Sequence, residues 1–315
     1  MTTFFQILIN GIAVGSLYAL IALGYTLVYG ILQFINFAHS DVFAWGAWIS
    51  FALAVGLFGL APESASTPHW YVGLGVLVGA MICCGLLGFT IERLAYKPLR
   101  NAPRLNVLIT AIGVSLLLQN IGQLQFAKAI FPFGPYPKAM PALLPDTVLL
   151  TFRGVQVRLV DITVLGTAIL FMIAIQWLVY RTKIGMAMRA VSHNHQTAAL
   201  MGINVNAIIS MTFVIGAMLA AAAGFLYSMK YSQLKQTADN VWVLLGLKAF
   251  VAAVVGGIGN IRGAMIGGIL IGLIEFFGVA YLSDKYRDVY VFSLLILVLL
   301  VRPSGILGRA TVEKV

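Results

Sequence analysis

The sequence is poor in charge. Only 10% of its 315 residues are Asp, Glu, Lys or Arg and 61% are hydrophobic, where soluble domains average about 25% and about 45–50%. That balance excludes an ordinary soluble all-α protein. The apolar runs do not alternate with polar residues, which excludes a transmembrane β-barrel. The two cysteines, Cys83 and Cys84, are adjacent in an apolar run. Neighbours on a helix point in different directions, so they read as small packing residues and not as a disulfide framework. The chain has four histidines and no zinc spacing, which leaves no metal site. It also lacks a G-x-x-x-x-G-K-S/T phosphate loop and a serine elbow. The chain is therefore read as a non-enzyme, with no cofactor and no ATP site of its own. A net charge of +10 does not point to nucleic acid, because the basic residues sit in short segments between apolar runs.

What is present is long hydrophobic sequence. Runs beyond about 18 apolar residues read as membrane spans. The expected spans are 4–32, 40–58, 70–92, 105–127, 159–180, 207–229, 241–259, 261–281 and 289–302. The fold class is all-α, a polytopic transmembrane bundle of eight to ten spans, and 1–315 reads as one transmembrane domain. The first segment, broken by Gly11, Gly15, Gly24 and Gly30, reads as one tilted span or as a span plus a half-helix. The glycine-rich 241–259 segment reads as a span or a re-entrant piece. The N-terminus lacks a basic region and a small-residue cleavage site, so it reads as a retained span.

Orientation follows Lys and Arg near the span ends. Segment 92–104 carries Arg93, Lys97, Arg100 and Arg104. Segment 181–206 carries Arg181, Lys183 and Arg189, and the tail carries Arg302, Arg309 and Lys314. These three are expected in the cytoplasm. "APESASTPHW", with Glu63 and no Lys or Arg, is expected outside. So is 128–158, whose prolines (Pro132, Pro135, Pro137, Pro141, Pro145) keep it from spanning despite Lys128, Lys138, Arg153 and Arg158. Nine spans would put the N-terminus outside and the C-terminus inside; eight or ten would put both ends inside.

Four polar stretches stand out. "MRAVSHNHQTAALMGINV", 188–205, reads as a short amphipathic helix. Ser192 or Asn194 can cap its start, and Gly202 suits a left-handed C-terminal cap. Ile184, Met188, Val191, Ala198 and Met201 recur at three or four residues, with a gap at His195, and form its apolar face. That face must bury on the chain's own helices, on lipid or on a partner. Its polar side carries mainly Ser, His, Asn, Gln and small residues, where a lipid-surface helix carries Lys or Arg along one face and bulky Trp or Phe on the other, so docking to a soluble partner fits better. "GILQFINFAHSDVFAWGAW", 30–48, places Gln33, Asn36, His39 and Asp41 in apolar sequence. Asn36 and His39 would share a helix face, and two readings stay open: capping at a membrane edge, or lining a pathway. "GGIGNIRGAMIGGILIG", 256–272, spaces Gly259, Gly263 and Gly267 by four. That spacing serves close helix packing, within the subunit or between subunits. Lys248 and Glu275 are lone ionisable groups inside spans. Each should face the bundle interior, and the two could pair.

Along nearly its whole length the chain also resembles a known family. The matching stretches are "GSLYALIALGYTLVYG" (15–30), "INFAH" (35–39), "ERLAYKPLR" (92–100), "RTKIGMAMRAVSHNHQTAALMGINV" (181–205), "TFVIGAMLAAAAGFLY" (212–227), "GLKAFVAAVVGGIGNIRGAMIGGILIGLIE" (246–275) and "RPSGILG" (302–308). It looks like the membrane permease of branched-chain amino acid ABC importers, of the LivH kind. The resemblance implies a partner permease in a heterodimer and two cytoplasmic ATP-binding subunits. It also implies a periplasmic substrate-binding protein and a place in the bacterial inner membrane, with the C-terminus cytoplasmic. Substrate would pass between the two permeases. Segment 181–206 would then hold the helix that couples to the ATPase, through Arg189, Ser192, Asn194, His195, Gln196, Thr197, Ala198 and Gly202. Asn36, Phe37 and His39 would lie near the pathway, with Gly259, Gly263 and Gly267 as packing or gate. Two departures stand out. The importer pattern E-A-A-x-x-x-G is matched only at Ala198 and Gly202, with Gln196 and Thr197 at the aligned positions. Ser40 and Asp41 follow His39 where the family commonly has glycine and then an acid. A urea or short-chain amide permease is the alternative within the importer class. A secondary transporter would need more paired ionisable groups than Lys248 and Glu275.

Overall fold

In lipid every backbone N–H and C=O must be satisfied within the chain, and helices do this segment by segment. A computed structural model describes residues 2–61, 68–100, 102–124, 133–145, 147–152 and 154–308. The expectations for Glu63, Lys128, Pro132, Arg153, Arg309 and Lys314 fall outside the described residues.

The helices are α1 (Thr2–Leu32), α2 (His39–Ala52), α3 (Trp70–Ile91), α4 (Arg104–Ile121), α5 (Leu159–Arg181), α6 (Lys183–His193), α7 (His195–Leu200), α8 (Val205–Lys230), α9 (Asn240–Gly256), α10 (Ile261–Tyr281) and α11 (Arg287–Val301). α2 and α3 each run on through a wider π-helical turn, at Leu53–Leu57 and Glu92–Tyr96. With those extensions, α1, α2, α3, α5, α8 and α10 are the six helices long and apolar enough to cross a membrane by length and composition. α4 and α9 are shorter apolar helices. This is the polytopic helical bundle read from the sequence. The first segment resolves to one continuous helix of 31 residues. The 241–259 segment is one unbroken helix of 17 residues, stopped at Gly257 by a φ of +108°.

The 128–158 segment is not wholly irregular. β2 (Val148–Phe152) and β3 (Val155–Arg158) form an antiparallel hairpin about Gly154, and β1 (Lys138–Ala139) pairs with β4 (Gln233–Leu234). The Gln6 side chain clasps the hairpin, accepting from the Gln156 N–H at 2.9 Å and donating to its carbonyl at 3.1 Å.

These contacts define two faces. The hairpin face gathers the start of α1 and, through the ion pair of Lys230 with Asp161, the end of α8 and the start of α5. The opposite face carries α6 and α7. There His195 Nε2 meets the Ile31 carbonyl at 2.9 Å, and Arg100 donates to the Asn206 side chain. Ile306 and Leu307 donate backbone N–H groups to Val255 and Gly256, at 2.8 and 3.0 Å. The described parts of the three basic segments expected to share a side therefore lie at one face, and the described residues start and end at opposite faces.

α1 is the hub, packed by α10, α8, α9 and α5. Helices in lipid gain little from burying apolar surface, so close van der Waals contact between small residues brings them together. Gly263 and Gly267 lie against the backbones of Gly256 and Ala252 in α9, while Gly268 and Gly272 lie against Ala19 and Gly15 in α1. The glycine stripe is thus packed within the subunit on both of its sides. Gly259 is not part of it. It sits in the α9–α10 turn at φ +88°, with nothing within 4 Å of where a Cβ would stand.

Candidate functional site

Segment 188–205 is not one helix. α6 starts at Thr182, whose hydroxyl accepts the Gly185 N–H at 3.1 Å, and it ends at His193. Asn194 is extended (φ −158°, ψ 117°), and its Oδ1 accepts the Thr197 N–H at 2.9 Å, capping the short α7. An Asn side chain that competes for backbone N–H groups breaks the helix here and starts a new one. Ser192 caps nothing. Its hydroxyl donates to the Arg189 carbonyl at 2.8 Å inside α6. Gly202 takes the expected left-handed position at φ +80°.

The apolar face also differs from expectation. Met188, Val191 and Ala198 are buried in the chain's own core, so this face anchors the segment and is not its docking surface. Ile184 and Met201 point away from that core and are exposed. The outward side carries Asn194, His195, Gln196 and Thr197, then Leu200 and Met201 at 87% and 79% exposure. Arg189 and Arg262 each lie 5.6 Å from the centre of the Tyr180 ring. A cavity of about 90 Å³ behind α6 brings Arg189 and Ser192 together with Gly30 and Gly259. The segment therefore touches the ends of α1 and α5 and the α9–α10 turn at once.

Asn36 and His39 do not share a helix face. α2 starts at His39, and Asn36 sits in the preceding turn, its carbonyl accepting the His39 N–H at 3.1 Å. The buried Asn36 side chain accepts the Tyr96 hydroxyl at 2.6 Å. His39 is buried, edge-on to Tyr25 with ring centres 4.6 Å apart. Phe37 is half-buried and packs on the core. These three line none of the cavities described here.

Two charged clusters hold residues that the sequence had not singled out. Glu92 is fully buried. It pairs with Arg100 and accepts the Ser210 hydroxyl at 2.5 Å, tying the end of α3 to α8. The acid and base at the two ends of the nine-residue stretch "ERLAYKPLR", Glu92 and Arg100, were the available signal. The second cluster surrounds Glu275. Lys248 lies 2.9 Å from Glu275 and 2.7 Å from Asp288, Tyr18 donates to Glu275 at 2.8 Å, and Arg287 stands 3.7 Å away. Lys248 and Glu275 do pair, and both are buried. Tyr18, Arg287 and Asp288 could be assigned to them only once α1 and α11 were known to pack beside α9 and α10.

The model of the branched-chain amino acid transport system permease component matches residues 7–301. The chain belongs to that family. It is 43% identical to the high-affinity branched-chain amino acid transport system permease protein BraD of Pseudomonas aeruginosa, over 99% of this chain and 98% of that one. It is 41% identical to the LivH permease protein of Escherichia coli over the same shares. Among solved structures, PsaBC from Streptococcus pneumoniae in complex with Fab aligns over 96% of this chain and 93% of its own, at 13% identity and a TM-score of 0.46. The chain is thus a multi-pass membrane protein of a transport permease family.

Proposed function

We propose that this chain is one permease subunit of an ATP-driven importer of branched-chain amino acids. The observation that carries the reading is the match to branched-chain amino acid permease proteins over 99% of the chain at 43% and 41% identity. In this reading the α6–α7 face is cytoplasmic, and the hairpin face meets a periplasmic binding protein. A second, related permease completes the pathway in the inner membrane. Two ATP-binding subunits supply the energy, because the sequence carries no phosphate loop. The geometry of α6–α7 suits the coupling role. Its buried side is locked to the bundle, and its outward tip presents Leu200 and Met201. Asn36, Phe37 and His39 act by packing near the pathway, and Gly263 and Gly267 let α9 and α10 move as a closely packed pair.

The test is reconstitution of the purified complex in liposomes with its binding protein. Leucine uptake should require ATP and should fall to background without the binding protein. Uptake that ignores ATP, or a chain that purifies without an ATPase and a second permease, would sink the importer reading. Uptake of urea or a short amide in place of leucine would move the substrate to the alternative class.

A further inference from the structure

A cavity of about 250 Å³ lies among α1, α2, α8, α9, α10 and α11, and the Glu275 cluster forms its polar wall. Lys248 and Glu275 are 4% and 3% exposed, while Arg287 and Asp288 are about half exposed. The other walls are apolar, from Leu17, Ile21, Phe43, Leu244 and Leu245. We propose that this cavity is an intramembrane binding site for a zwitterionic amino acid with an aliphatic side chain. The proposal rests on the importer reading above and assigns a place to its substrate.

Three observations carry it. The first is the cost of the cluster. Burying an ion pair in an apolar interior seldom adds stability over a well-packed apolar pair, and charges at membrane depth mark pathways. The second is charge balance. The cavity shows two bases, Lys248 and Arg287, and two acids, Glu275 and Asp288. A zwitterion can enter by exchanging partners, its carboxylate taking Lys248 or Arg287 and its ammonium taking Asp288 or Glu275. A simple anion or cation would leave one lining charge without an exchanged partner, whereas Arg287, which Asp284 also holds at 3.0 Å from outside the cavity, stays paired when it turns to a substrate carboxylate. Lys248 already divides itself between two carboxylates, at 2.9 and 2.7 Å, so releasing Asp288 still leaves it paired. The third is size and access. At about 250 Å³ the cavity is smaller than the roughly 300–1,000 Å³ that houses a drug-sized ligand. It shares Tyr231 and Phe276 with a larger cavity of about 760 Å³ lined by Gln6, Gln156 and Lys230 of the hairpin face. Substrate released at that face would meet the small cavity next.

The experiment is ATP-dependent leucine uptake by the whole complex in liposomes, beside ATP hydrolysis and recovery of the assembled complex. Asp288→Asn removes a half-exposed carboxylate but leaves Lys248 its contact with Glu275 at 2.9 Å, and Leu244→Trp fills the cavity from its apolar side; neither replaces a member of the buried pair. Each should lower uptake about tenfold or more, the scale of one lost charged contact, while assembly and ATP hydrolysis persist. Lys248→Met combined with Glu275→Gln removes the pair together. If the pair only holds helices, the double variant should transport normally; if it binds substrate, uptake should stay low in an intact complex. Wild-type rates in Asp288→Asn and Leu244→Trp, or in an intact double variant, would overturn the proposal and leave the importer reading standing. A wild-type complex that moves no amino acid would remove that reading, and the cavity's role with it.

Discussion

Glu92 and Glu275 are both carboxylates held inside apolar helices, one toward each face of the bundle. Glu92 is closed in. Arg100 and Ser210 take its two oxygens, Asn206 takes a further donor of Arg100, and Glu92 lines none of the cavities described here. Glu275 is as deeply buried, yet its cluster spreads over α1, α9, α10 and α11 and borders open volume. The first cluster joins a helix end to its neighbour and leaves no room for exchange. The second has more charged groups than one pair needs and space beside them. Burial of a charge is therefore a poor guide to its role, and the neighbourhood decides whether it fastens or binds.

The largest effect should come from breaking the closed cluster. Glu92→Gln leaves Arg100 without its ionic partner, a loss of about 3–5 kcal/mol for a buried pair. Complex yield and resistance to heat in detergent should fall sharply. Glu275→Gln should cost less stability, because Lys248 keeps Asp288 at 2.7 Å; its main deficit should be in uptake. Equal thermal losses in the two variants would erase the distinction between them. Next in size is the glycine contact. Gly263→Leu would drive a side chain into the Gly256 backbone, and overpacking of this kind costs about 1–3 kcal/mol. Assembled complex recovered from membranes should drop, and unchanged recovery would mean that α9 and α10 can separate freely.

The same contrast shows what the sequence could and could not disclose. Long apolar runs placed the helices within a few residues, because hydropathy over some 20 residues is strong and local. The Gly202 turn was legible for the same reason: a left-handed position calls for glycine at once. The break at Asn194 was not. An apolar residue recurring at three or four continues in register through a one-residue interruption, so the pattern read as one helix. Asn36 and His39 misled similarly, since their spacing of three means a shared face only if both lie in the helix. Which charged groups meet Glu275 depended on how four helices pack, and no local pattern carries that. The side to which Met201 points depended on where α7 ends, one residue earlier.

The smaller effects lie at α6–α7 and test whether this segment transmits motion or merely covers helix ends. Gly202→Val forces a β-branched residue to φ +80°, where strain is of the order of 1–3 kcal/mol. Nothing stands within 4 Å of a Cβ there, so the bundle should remain intact. Leucine uptake should fall while ATP hydrolysis continues, and normal coupled uptake would remove the transmitting role. Asn194→Ala is milder still. It deletes the cap on Thr197, worth about 1 kcal/mol, and it leaves the anchors Met188, Val191 and Ala198 in place. If α7 must be rigid to pass movement from an ATPase to the spans, this loss should lower the uptake obtained per ATP without altering assembly. If α7 is only a cover, its fraying should change neither, because the buried anchors hold the segment to the bundle without it.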